Sequence, residues 1–414
     1  MIIRSRLSAS CLALGGAVAL QASASAREHA KALWSFDQSG YVPAAGLTVD
    51  RKGNLFGTTE LGGTGQCAGG IGCGTVYQLS PPAAAKAPWT YNVLYNFQGT
   101  KADGGFPQAA LTIDSGVVYG YSVYSTEGTV FTLTPPAPGG TGWTFQTLYT
   151  FSGGADGSLA GSYSPLILTG GHIFGIAATG ASKACGQFGC GTLFRLDPGT
   201  GGAPWTETTL YSFTGQGKSG SPTWIVGPDS NQALYVSTSF DNGAVWQFVP
   251  SGGQVAATII ANFNGKRSGS NPGNLVLDTS GNVYGLIAAR PASAAFELMP
   301  PSPGGTSWTE SILATISVHR YGATSLSAGL NGTLLGTIYG DVDFYPGSVF
   351  QLAPPSGGTG PWTYSQLWGF AHGPDRNPLD VEVGQGREQG KLFGVLDGGD
   401  STNGSVYELH STPH

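Results

Sequence analysis

The sequence predicts an all-β chain, a seven-bladed β-propeller of four-stranded blades whose ring is closed by the N-terminal strand pairing in the last blade. Three observations predict it. One short phrase keeps returning, as GCGTVYQLSPP (72–82), EGTVFTLTPP (127–136), GCGTLFRLDP (189–198) and PGSVFQLAPP (346–355). A second phrase follows it, as WTYNVLYNF (89–97), WTFQTLYTF (143–151), WTETTLYSF (205–213) and WTYSQLWGF (362–370). The composition suits short strands and tight turns, with 68 Gly and 26 Pro in 414 residues, 11% aromatics and only 10% charged residues. That aromatic content excludes a disordered chain, and a four-stranded unit recurring every ~50–60 residues is the mark of radial repetition.

Taken in order, the elements begin with a segment outside the fold. Arg4 and Arg6 precede the apolar run LSASCLALGGAVAL (7–20), and Ala24 and Ala26 supply small residues after it. This is the layout of a secretory signal peptide over 1–26, and the run is too short for a membrane span. Removal of the segment takes two arginines and no acid, so the remaining chain is two charges more negative than the −6 of the full sequence. No Lys/Arg cluster remains, which excludes nucleic acid or an anionic membrane as the main partner. The expected location is secreted, extracellular or periplasmic, and residues 27–414 read as one propeller.

Each unit reads as strands a, b, c and d. Pro-led runs such as PAAGLTVD (43–50), PQAALTID (107–114) and PGNLVLD (272–278) form strand a, since a first-strand position need not donate to the ladder. The turns DRKGN (50–54) and DTSGN (278–282) lead into strand b, Asp bonding its own backbone and Gly taking the positive φ. Strand b is the set NLFGTT (54–59), VVYGYS (117–122), HIFGIA (172–177), ALYVST (233–238), NVYGLI (282–287), TLLGTI (333–338) and KLFGVL (391–396), which counts seven. Strand c is the GTVF phrase and strand d the LYxF phrase. Only six d phrases follow a c strand, and the missing one is ALWSF (32–36) at the other end of the chain. Blades therefore run roughly 37–97, 98–151, 152–213, 214–263, 264–316, 317–370 and 371–409 plus strand 32–36. Without that closure two blades would expose unpaired edges.

The phrases LYNFQGTKADGGFPQAALTID, VVYG and EGTVFTL together resemble the Gloeo/Verruco (GloVer) tandem repeat of exported bacterial proteins, over residues 33–409. The resemblance implies a propeller-like extracellular protein, often with a C-terminal surface anchor, and it carries over no catalytic residues. This chain departs from the pattern by ending in ELHSTPH, without a terminal hydrophobic span.

In a propeller the d-to-a connections and b-to-c loops share one face, around the mouth of the channel. That face is expected to bind a glycan or protein partner through Lys101, Asp103, Asp156, Lys218, Arg267 and Arg320, because functional residues gather on loops held by a rigid scaffold. The alternative is a hydrolase or lyase acting on an extracellular polymer. Its candidates are His319, His372, Asp375 and Arg376, a His–carboxylate base with arginines to stabilise an oxyanion. Asp341, Asp343, Asp397 and Asp400 put acidic oxygens on Gly-rich loops that Ca²⁺ accepts, although the spacing matches no twelve-residue calcium loop. No nucleophile elbow and no phosphate-binding glycine loop occurs, no cofactor is implied, and the expectation is a non-enzymatic binding module. The repeated Trp89, Trp143, Trp205, Trp308 and Trp362 read as packing between blades. The unrepeated Trp224 and Trp246 also read as buried. Cys67 with Cys73 and Cys185 with Cys190 are expected to form two local disulfides, since removal of residues 1–26 takes Cys11 and leaves four cysteines, an even number in an exported chain.

Overall fold

Seven antiparallel sheets, one per repeat, account for every strand in the computed structural model. The structure describes residues 29–37, 40–84, 87–123, 127–217, 219–251, 254–265, 269–289, 292–316, 322–340, 347–357, 360–370, 377–397 and 403–410. Each sheet follows the order a–b–c–d, for example Ile167–Thr169, His172–Ala177, Thr192–Asp197 and Thr206–Ser212 in the third blade. In the first blade strand a is split into Tyr41–Pro43 and Thr48–Val49, both paired with Leu55–Leu61. The last sheet is completed by His29–Ser35, which pairs antiparallel with Ser405–His410. The apolar core is correspondingly divided into seven clusters, one at each junction of neighbouring blades.

The recurrence of the two phrases has a single structural cause, which is the joint between blades. In every blade the c–d ladder skips one residue of strand d, and that residue is the Leu of LYxF or its equivalent: Leu94, Leu148, Leu210, Ile260, Leu313, Leu367 and, in the N-terminal strand, Leu33. A bulge at a constant place gives every blade the same added twist. The Phe that ends the phrase donates its N–H to the Gly that opens GTVF, as in Phe97 to Gly74, Phe151 to Gly128, Phe213 to Gly191 and Phe36 to Gly404.

That glycine has a second duty. It holds a positive φ, +82° at Gly243, and a Cβ there would stand 2.5 Å from Cδ of Pro272 in the next blade. The same pairing joins Gly74 to Pro107, Gly191 to Pro222, Gly347 to Pro378 and Gly404 to Pro43, at 2.6–2.7 Å. So the Gly of GTVF is the seat for the Pro that opens the neighbouring strand a. At the second junction the same seat faces Leu159, whose Cβ would lie 2.8 Å from a Cβ on Gly128, and at the fifth Ser293 takes the Gly place and accepts the N–H of Ala323, 3.2 Å away, a donor that proline would lack. Gly243→Ala is expected to cost about 2–4 kcal/mol, from left-handed backbone plus overpacking. Thermal unfolding of the variant checks it, and a melting point unchanged from wild type would remove this account of the glycine.

The glycine of the YG phrase answers to close approach instead. A Cβ at Gly57, Gly120, Gly175, Gly285, Gly336 or Gly394 would fall 2.3–2.7 Å from the ring or hydroxyl of the aromatic residue in strand c. The fourth blade has Val236 there, facing Trp246 in the ladder. Tryptophans at the start of strand d pack on the strand-b aromatic of the preceding blade: Trp89 on Phe393, Trp143 on Phe56, Trp308 on Tyr235 and Trp362 on Tyr284. Innermost strands are latched by hydroxyls, Thr48 to the Leu111 carbonyl, Thr112 to that of Leu166 and Ser327 to that of Val381. The Thr of LTVD and LTID is therefore a rivet around the channel.

Candidate active site

The innermost strands enclose a central channel made of two chambers. One, of about 520 Å³, is lined by the starts of strands a, including Gly46, Gln108, Tyr163 and Thr324, and by Tyr339. The other, of about 1070 Å³, opens among the a-to-b turns that carry Asp229, Ser230, Asp278 and Gln389. Both chambers touch Pro165, Trp224, Leu326, Glu382, Val383 and Gln385, so Glu382 and Trp224 stand at the waist.

Asp380 and Glu382 lie two apart on strand Pro378–Val383, which puts both carboxyls on the same side of the strand. Val381 between them is buried in the cluster shared with the sixth blade. The break in strand a of the first blade makes room for Asp380, because a Cβ on Gly46 would sit 1.9 Å from its Oδ2. Burial pushes the Asp380 carboxyl up to about 6, against hydrogen bonds from the Val381 backbone, the Ser325 hydroxyl and the Leu47 backbone, which pull it down. Burial and then the charge of Asp380 hold Glu382 well above the usual carboxylate range. Two adjacent carboxyls in little solvent titrate as a pair, and one proton is retained between them near neutrality. No Lys, Arg or His lines either chamber among the described residues. The other channel acids are already used: Asp229 accepts from Asn231 N, Ala233 N and the Tyr235 hydroxyl, and Asp278 from Ser280 N, Asn282 N and the Asn282 amide.

The residues expected from the sequence fall elsewhere. Asp103 is buried, and its oxygens accept from Gln98 N, Thr100 N, the Thr100 hydroxyl and the Tyr95 hydroxyl, so it staples its own turn. Asp156 does the same for Ser152 and Tyr149, whose phenol is raised to about 12 by burial and then by that carboxylate. Lys101 is exposed beside a small crevice with Glu127, outside the channel. Asp397 accepts a hydrogen bond from the Tyr339 hydroxyl. His319, His372, Asp375, Arg376, Lys218, Arg267, Arg320, Asp341, Asp343 and Asp400 lie outside the described residues. Among the described residues no group of three metal-ligating side chains assembles.

Both disulfides form, Cys67–Cys73 and Cys185–Cys190, each pinning a b-to-c loop. Trp246 is buried as expected. Trp224 is not; it is half-buried on the channel wall, because strand a is innermost and its outward-facing side meets the channel instead of another blade.

No protein-family model matches the sequence, and no curated protein matches it significantly. Solved structures do share the fold. A Bacteroides uniformis protein provisionally assigned as a 6-phosphogluconolactonase superposes with a TM-score of 0.51 at 13% identity, over 78% of this chain and 84% of its own. A Bacteroides fragilis protein with the same provisional assignment gives 0.50 at 12%, over 78% and 82%. A Lactobacillus plantarum protein gives 0.53 at 14%, over 82% and 91%. At such identity the likeness establishes the propeller and not a reaction. It does correct the expectation of a non-enzymatic module. That expectation rested on the fold and on missing motifs, whereas the same fold bears provisionally assigned lactone hydrolases.

Proposed function

We propose that the chain is a hydrolase that opens the lactone of an unphosphorylated sugar acid within its channel, with Asp380 and Glu382 as the reacting carboxyls. The observation that carries this reading is the pair itself: two neighbouring carboxyls on the channel wall, both held above the usual carboxylate range by burial and Glu382 also by the charge of Asp380, so that one serves as base while the other keeps its proton. Ionised Asp380 takes a proton from water as its oxygen attacks the lactone carbonyl. Protonated Glu382 gives its proton to the ring oxygen as the acyl C–O bond breaks. One water is consumed, a hydroxy acid leaves, and the proton now on Asp380 passes back to Glu382, directly or by exchange with solvent, so the pair is reset with its proton count unchanged.

The two solved structures above are named for a phosphorylated lactone, and this channel favours a different substrate. A phosphate dianion needs Arg, Lys or a helix N-terminus, and among the described residues the lining offers carboxyls, amides and hydroxyls instead. Export through residues 1–26 belongs to the same reading and is supported by the two disulfides. Membership of the Gloeo/Verruco repeat group is proposed on the repeated phrases.

The test is lactone hydrolysis followed by pH-stat, with glucono-1,5-lactone beside its 6-phosphate. Turnover of the neutral lactone with at least ~10-fold preference over the phosphate is expected, roughly one desolvated charge contact in free energy. Preference for the phosphate, or no rate above spontaneous opening, would overturn the proposal.

A further inference from the structure

We infer that the lactone is carried at the end of an oligosaccharide, whose following rings lie in a groove over the third blade with one pyranose stacked on Phe188. The inference rests on the lactone-hydrolase reading and adds the size and lie of the substrate.

A groove of about 500 Å³ runs over this blade, lined among others by Gly153, Ser158, Ala160, Gly161, Lys183 and Phe188. One wall is the segment that leaves strand d of the second blade and becomes strand a of the third, and the other is the loop closed by Cys185–Cys190. A d-to-a connection crosses from the rim of a propeller to its centre, so a groove along it is radial and ends at the channel. The segment's own residues run in that order: Ala160 and Gly161 line the groove, and Tyr163 and Pro165, a few positions on, line the channel chamber that holds Asp380 and Glu382.

Phe188 is 71% exposed and Tyr163 54%, and neither ring stacks on another among the described residues. The backbone beneath Phe188 is fixed, since its carbonyl accepts from Gly180 N at 2.7 Å and Gly189 bridges to Gly180. A phenyl ring on a fixed backbone has only two side-chain torsions to lose when a ligand covers it. The groove joins that ring to the Thr179 hydroxyl, which donates to the Ser158 and Ala160 carbonyls and keeps lone pairs to accept, an amide at Gln187 and one cation at Lys183, with no carboxylate among its lining residues. A pyranose matches this mixture, with a C–H face for the ring and hydroxyls for the rim, whereas a helical peptide would need several apolar pockets. The corresponding loop of the first blade puts Ile71 at the place of Phe188, so of the two disulfide-closed loops the aromatic platform belongs to the third blade's. A lactone at an oligosaccharide end arises by two-electron oxidation of the anomeric carbon, so a reducing-end oxidation is the class of reaction that supplies this substrate.

The experiment compares glucono-1,5-lactone with the terminal aldonolactones of α-1,4- and β-1,4-linked glucose tetrasaccharides, for wild type, Phe188→Ala and Ile71→Ala. Wild type is expected to prefer one tetrasaccharide lactone by about tenfold or more in kcat/KM, through KM, a gain of the size of one stacked ring. Phe188→Ala should remove that preference and leave the monosaccharide rate unchanged, and Ile71→Ala should change neither. Equal use of short and long lactones, or a Phe188→Ala loss equal on both, overturns the groove while leaving the lactonase standing. If no lactone is hydrolysed, calorimetric titration with the tetrasaccharide aldonates decides the groove separately. Binding by wild type that Phe188→Ala abolishes upholds it, and binding by both or by neither overturns it.

Discussion

Glu382→Gln yields a folded propeller that has lost at least about a hundredfold in lactone hydrolysis, the usual contribution of a positioned general acid. The amide fills the same volume at the channel waist and keeps a hydrogen-bonding end, but it has no proton to give the ring oxygen. Asp380→Asn is expected to lose a similar factor by removing the base. The pH profile separates the two. Wild-type kcat/KM should rise through about 6, where Asp380 ionises, and fall at higher pH as Glu382 loses its proton. Asp380→Asn should lose the rising limb. Stability moves the other way. Both folded-state values are raised above those of an unfolded carboxyl, so the native state holds more protons and its stability falls as pH climbs through and beyond about 6. Either amide variant should therefore melt above wild type at pH 8 and lose that advantage at pH 4. Variants that keep full rate and the wild-type pH dependence of melting would show that the pair is inert.

Deleting residues 27–36 is expected to remove cooperative folding or to lower the melting point by more than about 15 °C, far beyond an ordinary surface truncation. The lost strand pairs along Ser405–His410, and Phe36 donates to the Gly404 carbonyl. It also brings Trp34 onto Tyr91 at 4.4 Å and Phe36 onto Tyr77 at 5.1 Å, in the cluster that joins the last blade to the first. Losing Leu33, Trp34 and Phe36 from that joint forfeits about 5 kcal/mol of apolar burial and leaves a sheet edge open. A synthetic peptide covering 27–37, added to the truncated chain, should restore part of the melting point. A truncated chain that melts within about two degrees of wild type would show that the ring does not depend on its closure.

Why the phrases repeat is now a matter of particular contacts. The count of seven b strands and six downstream d phrases already contained the closure, and Leu33 occupies the same bulge as its six counterparts. The turn acids Asp50 and Asp278 bond their own backbones as DRKGN and DTSGN suggest. Asp103 and Asp156 look like a binding set in sequence because their neighbours are loops. A carboxylate's bonds to the backbone of its own turn are not distinguishable in a string from bonds offered to a ligand. The channel pair did leave a signal. Strand a of the last blade reads PLDVEV, with two acids where the other Pro-led runs carry no charge until their final turn.

The sequence by itself determined the ring: its blade count, its closing strand, its two disulfides and the packing role of its repeated tryptophans. These follow from short-range periodicity, because a residue that meets the same neighbour in every blade must recur at the same place in every repeat. The tertiary structure alone decided the site. Asp380 and Glu382 meet Gly46, Leu47, Ser325 and Trp224 from three other blades, up to some three hundred residues away along the chain. Their raised proton affinities are properties of that enclosure. Radial symmetry draws the innermost strands to a common axis, and no local pattern records which of their residues meet there.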